Sequence, residues 1–123
     1  MYRVTVSARF EAAHNLIDYK GGPEPLHGHS YKVEIVLEAE KLDQHDLAVD
    51  FVAAKKALDT IVKEFDYKYI NEHPAFSGRN TSAENLARYF AERLEASGAI
   101  GSCRVAEVIV WEGPENRGAY RPR

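Results

Sequence analysis

Three histidines carry the first chemical signal. His27 and His29 bracket Gly28 in the stretch PLHGHSYKVEIV, and His14 closes the stretch FEAAH upstream. Residues two apart in a strand point the same way, so His27 and His29 present two imidazoles side by side. If the segment ending at His14 lies antiparallel beside the one opening at His27, all three rings reach one end of a sheet. Three neutral imidazoles without a fourth protein ligand suit zinc with one position open to water or substrate, the mark of a catalytic site. The competing reading is a set of hydrogen-bonded surface histidines that hold nothing. His45 and His73 stand in polar loops and read as solvated.

The flanking pattern supplies the elements that must position these rings. Tyr2, Val4, Val6, Ala8 and Phe10 alternate with polar residues, and so do Tyr31, Val33, Ile35 and Leu37. Period two predicts two half-buried strands, separated by the Gly- and Pro-rich loop NLIDYKGGPEP. The period then lengthens. Phe51, Ala54, Leu58, Ile61, Val62 and Phe65 form a helical stripe behind Asp50 as N-cap. After the loop YKYINEHPAFSGRN, Thr81 and Glu84 have the form of a capping box for a second helix, with Leu86, Ala87, Phe90 and Leu94 inward and Gly98 as the stop. A third strand, CRVAEVIVWE, is apolar on both faces near its end, and NRGAYRPR suits a short fourth. The expected fold class is α+β, two helices on one face of an antiparallel sheet, as a single domain over residues 1–123. The bare sheet face and the two-sided apolar strand predict a homo-oligomer.

Composition narrows the partners. A net charge of −3 with no Lys/Arg run argues against nucleic acid and against an anionic membrane. The longest apolar stretches fall well short of the ~18 residues that read as a membrane span. A single cysteine, Cys103, excludes an intrachain disulfide framework and a cysteine-rich zinc site, and reads as a small buried hydrophobe. With no signal-peptide pattern at the N-terminus, the expectation is a cytoplasmic protein.

Taken together, FEAAH, LHGHSY, AVDF, FDYKYIN, TSAENLARYF and VIVWEGPENRGAYR resemble, in order and over nearly the whole chain, the 6-pyruvoyl tetrahydropterin synthase and 6-carboxytetrahydropterin synthase family. The resemblance implies a tunnelling fold (T-fold) whose trimers close a barrel and usually stack into hexamers. It implies zinc (Zn2+) on His14, His27 and His29, and a pterin small molecule as partner, usually 7,8-dihydroneopterin triphosphate. Glu112 matches the glutamate that anchors the pterin ring, a task for which a carboxylate can accept two N–H bonds. Ser82 falls where the family often has a threonine near the pterin.

Two departures bear on the reaction. The family cysteine, four residues before the first histidine of HGH, is replaced by Pro23, and Glu24 stands next to it. This resembles the subgroup in which a glutamate takes the cysteine's place and the substrate side chain is cleaved to 6-hydroxymethyl-7,8-dihydropterin, within folate or queuosine biosynthesis. The family's Asp-His pair reads Asp66-Tyr67, and tyrosine, with an ordinary pKa near 10, is a poor proton relay at neutral pH unless shifted. Glu24, Asp66 and Tyr67 are the candidate catalytic residues, with His73 a possible substitute for the absent histidine. The expected activity is a zinc-dependent lyase on a dihydropterin side chain. The alternatives are a pterin- or zinc-binding homologue with little turnover, and an oligomeric scaffold.

Overall fold

Strict alternation over thirteen residues sets the first strand, β1 (Tyr2–His14), and a second run of equal length sets β2 (His27–Ala39). In the computed structural model, which describes residues 1–123, the two pair antiparallel along their whole length, from Tyr2 opposite Ala39 to His14 opposite His27. The even-numbered side chains of β1 and the odd-numbered ones of β2 share the inward face. Val6, Ala8, Phe10 and Ala12 meet Tyr31, Val33, Ile35 and Leu37 there, all buried.

Helices α1 (Phe51–Val62) and α2 (Ala83–Ser97) cover that face, and β4 (Arg104–Glu112) and β5 (Asn116–Tyr120) extend the sheet. The two-residue strand β3 (Lys68–Tyr69) joins the far edge, giving the order β3-β1-β2-β4-β5. This last pairing, with Ala12 and Ala13, is parallel, so the sheet is mixed rather than wholly antiparallel. Phe10 stacks on Tyr31 with ring centroids 4.9 Å apart and meets Phe65 and Phe90 at 6.1 and 6.2 Å, joining sheet and helices in one aromatic core.

Several local expectations change in the folded chain. Asp50 caps α1 as expected, its carboxylate accepting the Val52 N–H, but Phe51, placed on the helical stripe, is 58% exposed. Ser82, not Thr81, caps α2 by accepting the Asn85 N–H, and Gly98 closes that helix at φ 69°. Thr81 is fully buried and serves the histidines instead. The loop before α2 is structured, holding β3 and two 3₁₀ turns, Ile70–Glu72 and Pro74–Phe76. On the outward face, Val36 and Ile109 are buried even in the single chain, beside Trp111, which donates to Glu34 at 2.6 Å and carries Arg117 over its ring. No helix is long and apolar enough to cross a membrane.

Candidate functional site

His14 is the last residue of β1 and His27 the first of β2, directly opposite in register. Side-chain parity puts both on the inward face with His29, so strand pattern and register together aim three rings at one point. Their centroids lie 4.7, 5.1 and 4.8 Å apart, each pair edge to face. One ligand nitrogen from each ring falls within 4.8 Å of the other two.

The tautomers follow from the partners. His14 Nδ1 lies 2.8 Å from the Thr81 carbonyl and 3.1 Å from its Oγ1. His27 Nδ1 lies 2.9 Å from the Pro25 carbonyl. A carbonyl oxygen only accepts, so each Nδ1 carries the proton and each Nε2 keeps a bare lone pair. Those two Nε2 atoms face each other at 3.1 Å. Lone pair against lone pair is repulsive, and a cation between the rings removes the conflict. A tetrahedral zinc with Zn–N of about 2.0–2.1 Å needs ligand nitrogens about 3.3–3.4 Å apart, close to this spacing. Burial, helped by the two neighbouring imidazoles and opposed by Glu112, lowers the His29 pKa and favours the neutral ring that a metal needs. The donor set fits zinc.

Two carboxylates flank the rings. Glu24, in the long loop, is fixed by its Oε1 accepting the Leu16 N–H at 2.8 Å, and that oxygen is 3.9 Å from His27 Nε2. Glu112 ends β4 opposite Tyr31, and its Oε2 is 3.8 Å from His14 Nε2. Tyr31 packs its ring edge-on to both His14 and His29, and its buried hydroxyl has no partner. Burial, reinforced by the Glu112 and Glu24 charges, pushes its pKa far up, so it stays protonated. Ser82 Oγ accepts the Asn85 N–H at 3.1 Å as the helix cap, which leaves its own proton free to donate.

The remaining candidates hydrogen-bond to other parts of the chain than the three rings. Asp66 accepts the Glu11 N–H at 2.9 Å, and the Tyr67 N–H donates to the Glu11 carbonyl at 2.5 Å. Tyr67 takes φ 59°, a left-handed turn costing about 1–2 kcal/mol, and its side chain is 83% exposed. It lines a shallow depression with Glu11, Ala13, Gly28, His29 and Ser30. His73 is not solvated. Its Nδ1 accepts the Ala75 N–H at 3.1 Å and its Nε2 is 2.8 Å from Glu64 Oε1. Burial alone would raise the Glu64 pKa, but bonds from Tyr89, His73 and Arg93 outweigh it and hold the carboxyl below its usual range. Both His73 nitrogens are thus engaged among Phe65, Phe76 and Tyr89.

Sequence reasoning missed the shell behind the histidines: Thr81, Asn15 and Asn71. Asn15 follows His14 directly, and its amide accepts from the Tyr69 hydroxyl and donates to the Glu24 carbonyl. Its adjacency to His14 was the one available hint. Thr81 and Asn71 carry no local mark, because their partners are far away in the chain.

The family described as 6-pyruvoyl tetrahydropterin synthase matches residues 3–123. The chain is 32% identical to a dihydroneopterin monophosphate aldolase of Pyrococcus furiosus, over 92% of this chain and 91% of that protein. It is 25% identical to a 6-carboxy-5,6,7,8-tetrahydropterin synthase of Aquifex aeolicus, over 98% of both. Among solved structures, 6-pyruvoyl tetrahydropterin synthase from Plasmodium vivax superposes with a TM-score of 0.82 at 20% identity, covering 98% of this chain and 97% of the other. Register, ring convergence and these likenesses agree over the whole length, and the chain belongs to the 6-pyruvoyl tetrahydropterin synthase family.

Proposed function

We propose that this protein is a zinc-dependent lyase that cleaves the side chain of a dihydroneopterin phosphate and leaves 6-hydroxymethyl-7,8-dihydropterin. The observation that carries this reading is the confrontation of the His14 and His27 Nε2 lone pairs at 3.1 Å, flanked by Glu24 and Glu112. His14, His27 and His29 would hold the zinc, which when bound supplies Lewis acidity at a side-chain hydroxyl and lowers the barrier to its deprotonation.

The chain's own groups do the rest. Glu112 accepts N–H bonds from the pterin ring and sets its orientation, and the Ser82 hydroxyl donates to the ring edge. Glu24, held through Oε1 by the Leu16 N–H, takes the proton from the hydroxyl on the second side-chain carbon. That oxygen's electrons form the carbonyl of the departing two-carbon aldehyde as the carbon–carbon bond breaks. The bonding pair is left on the first side-chain carbon, conjugated with the ring. Glu24 returns the same proton there, so atoms and charge balance with one carboxylate. A cysteine is not needed, and Pro23 stands at its position. A dihydroneopterin monophosphate aldolase among the relatives supports the assignment.

Asp66 and Tyr67 stay candidate catalytic residues only in an assembly. Neither hydrogen-bonds to its own chain's imidazoles and Tyr67 is 83% exposed, so we place them beside the site of a neighbouring copy in a homo-oligomer. The test is product analysis of zinc-loaded protein incubated with dihydroneopterin phosphates. The expected product is the hydroxymethylpterin. Elimination of the phosphate group would point to the synthase reaction, and unchanged substrate that nonetheless binds would mean a pterin-binding homologue.

A further inference from the structure

We infer that Asn71 is a positioning residue for this site, one that holds His14 in the tautomer presenting a bare Nε2 and ties it to the Glu24 loop. The inference rests on the zinc reading above and concerns residues behind the three imidazoles.

Asn71 lies in the 3₁₀ turn after β3, and its side-chain amide makes three bonds. Its Oδ1 accepts the Asn15 N–H at 3.2 Å and the Thr81 hydroxyl at 3.1 Å, and its Nδ2 donates to the Asn15 carbonyl at 2.7 Å. Asn15 is the residue after His14. Thr81 is the residue that takes the His14 Nδ1 proton. One amide therefore grips the imidazole from both ends, through its backbone and through its hydrogen-bond acceptor. Asn15 continues the chain by donating from Nδ2 to the Glu24 carbonyl at 3.1 Å and accepting from the Tyr69 hydroxyl at 2.5 Å.

The residue type is dictated by this arrangement. Asn15 offers an N–H and a carbonyl to the same side chain, so the partner must accept and donate within one short planar group. Aspartate would set an oxygen against the Asn15 carbonyl, and leucine would leave both backbone groups and the Thr81 hydroxyl unpaired. The Thr81 hydroxyl matters for a second reason. While its proton goes to Asn71, its oxygen lone pair faces His14 Nδ1–H. Released from Asn71, it can rotate its proton toward Nδ1 and, in competition with the Thr81 carbonyl at 2.8 Å, admit the tautomer whose Nε2–H points into the site. Its other neighbour, the Asn15 carbonyl, is 3.4 Å away and holds it weakly. Outer-shell partners of this kind typically change metal affinity by about 10–100-fold.

The experiment compares wild type with Asn71→Leu, Asn71→Asp, Thr81→Val and Thr81→Ser. Zinc affinity is read by chelator competition, and the His14 ring nitrogens by NMR of metal-free protein at alkaline pH, where every imidazole is neutral. We expect one Nδ1–H tautomer in wild type and in Thr81→Ser. In Asn71→Leu we expect mixed tautomers and zinc bound about 10–100-fold more weakly. Thr81→Val has no hydroxyl to turn toward Nδ1 and keeps the backbone carbonyl 2.8 Å from it, so it should hold the single Nδ1–H tautomer. Asn71→Asp, which keeps both acceptor bonds, should fall between. Asn71 variants that melt earlier but keep wild-type zinc affinity and a single His14 tautomer would overturn the inference. If Asn71→Leu does not fold, Asn71→Asp carries the test, since it keeps both acceptor bonds and loses only the donor to the Asn15 carbonyl. A wild type that binds zinc and holds the tautomer but cleaves no dihydropterin refutes the proposed function and leaves this inference standing. If wild type binds no zinc, the tautomer decides alone.

Discussion

Replacing Glu24 with glutamine separates its two roles. The Oε1 atom holds the Leu16 N–H at 2.8 Å, a bond that the glutamine carbonyl can keep. The loop should therefore hold its place, with stability changed by no more than about 1 kcal/mol, the net value of one hydrogen bond. The proton-accepting capacity is lost. General-base catalysis contributes about 10²–10⁴-fold, so the barrier should rise by roughly 3–5 kcal/mol. The assay is steady-state turnover of a dihydroneopterin phosphate by zinc-loaded protein, with zinc content and melting temperature measured on the same samples. We expect kcat to fall by about 10²–10⁴-fold while zinc content and melting temperature hold. Glu24→Ala should lose turnover similarly and also destabilise the loop by about 1–3 kcal/mol, because the Leu16 N–H loses its partner. Full turnover by Glu24→Gln would remove this carboxylate from the reaction, whatever the alanine variant does.

Three further outcomes follow from other parts of the molecule. A Cβ placed on Gly118 would sit 3.2 Å from Ala83 Cβ, Glu84 N and Glu84 Oε1, so Gly118→Ala should push β5 from the first turn of α2 and cost about 1–3 kcal/mol in a denaturant titration. An unchanged midpoint would mean the turn yields freely. The Glu64 carboxyl is held below its usual range, so the unfolded chain binds its proton more readily; the resulting stability is fully present above the unfolded pKa and is lost as pH falls through the folded one. Glu64→Gln should flatten that acid limb of a stability–pH curve, and an unaltered slope would dismiss the network as its source. Finally, Tyr67→Phe should melt with wild type because the side chain is 83% exposed. If Tyr67 serves a neighbouring copy, mixing it with Glu24→Gln subunits should restore about a quarter of the wild-type sites, and no recovery would argue that it does not act in trans.

How much of this was legible beforehand depends on the range of the contacts involved. Alternation in β1 and β2 settled which side chains share a face, and parity carried His14, His27 and His29 to that face together. The stripes of α1 and α2 were equally local, since Ala54, Leu58, Leu86 and Phe90 recur at helical spacing and all are buried. Phe51 failed the same rule because periodicity describes a helix face and not how far that face extends over a sheet. Thr81 looked like a cap because its spacing to Glu84 is right, yet its carbonyl was claimed by a ring 67 residues away.

The amino-acid sequence by itself determined the two strands whose parity gives His27 and His29 one face, and the motifs of the family to which the chain belongs, because both are written in short-period pattern and local motif. Only the tertiary structure decided which nitrogen of each ring keeps its proton. That choice belongs to the acceptor each ring meets, and for His14 that acceptor, Thr81, is supplied by a segment distant in the chain that nothing in its own neighbourhood could disclose.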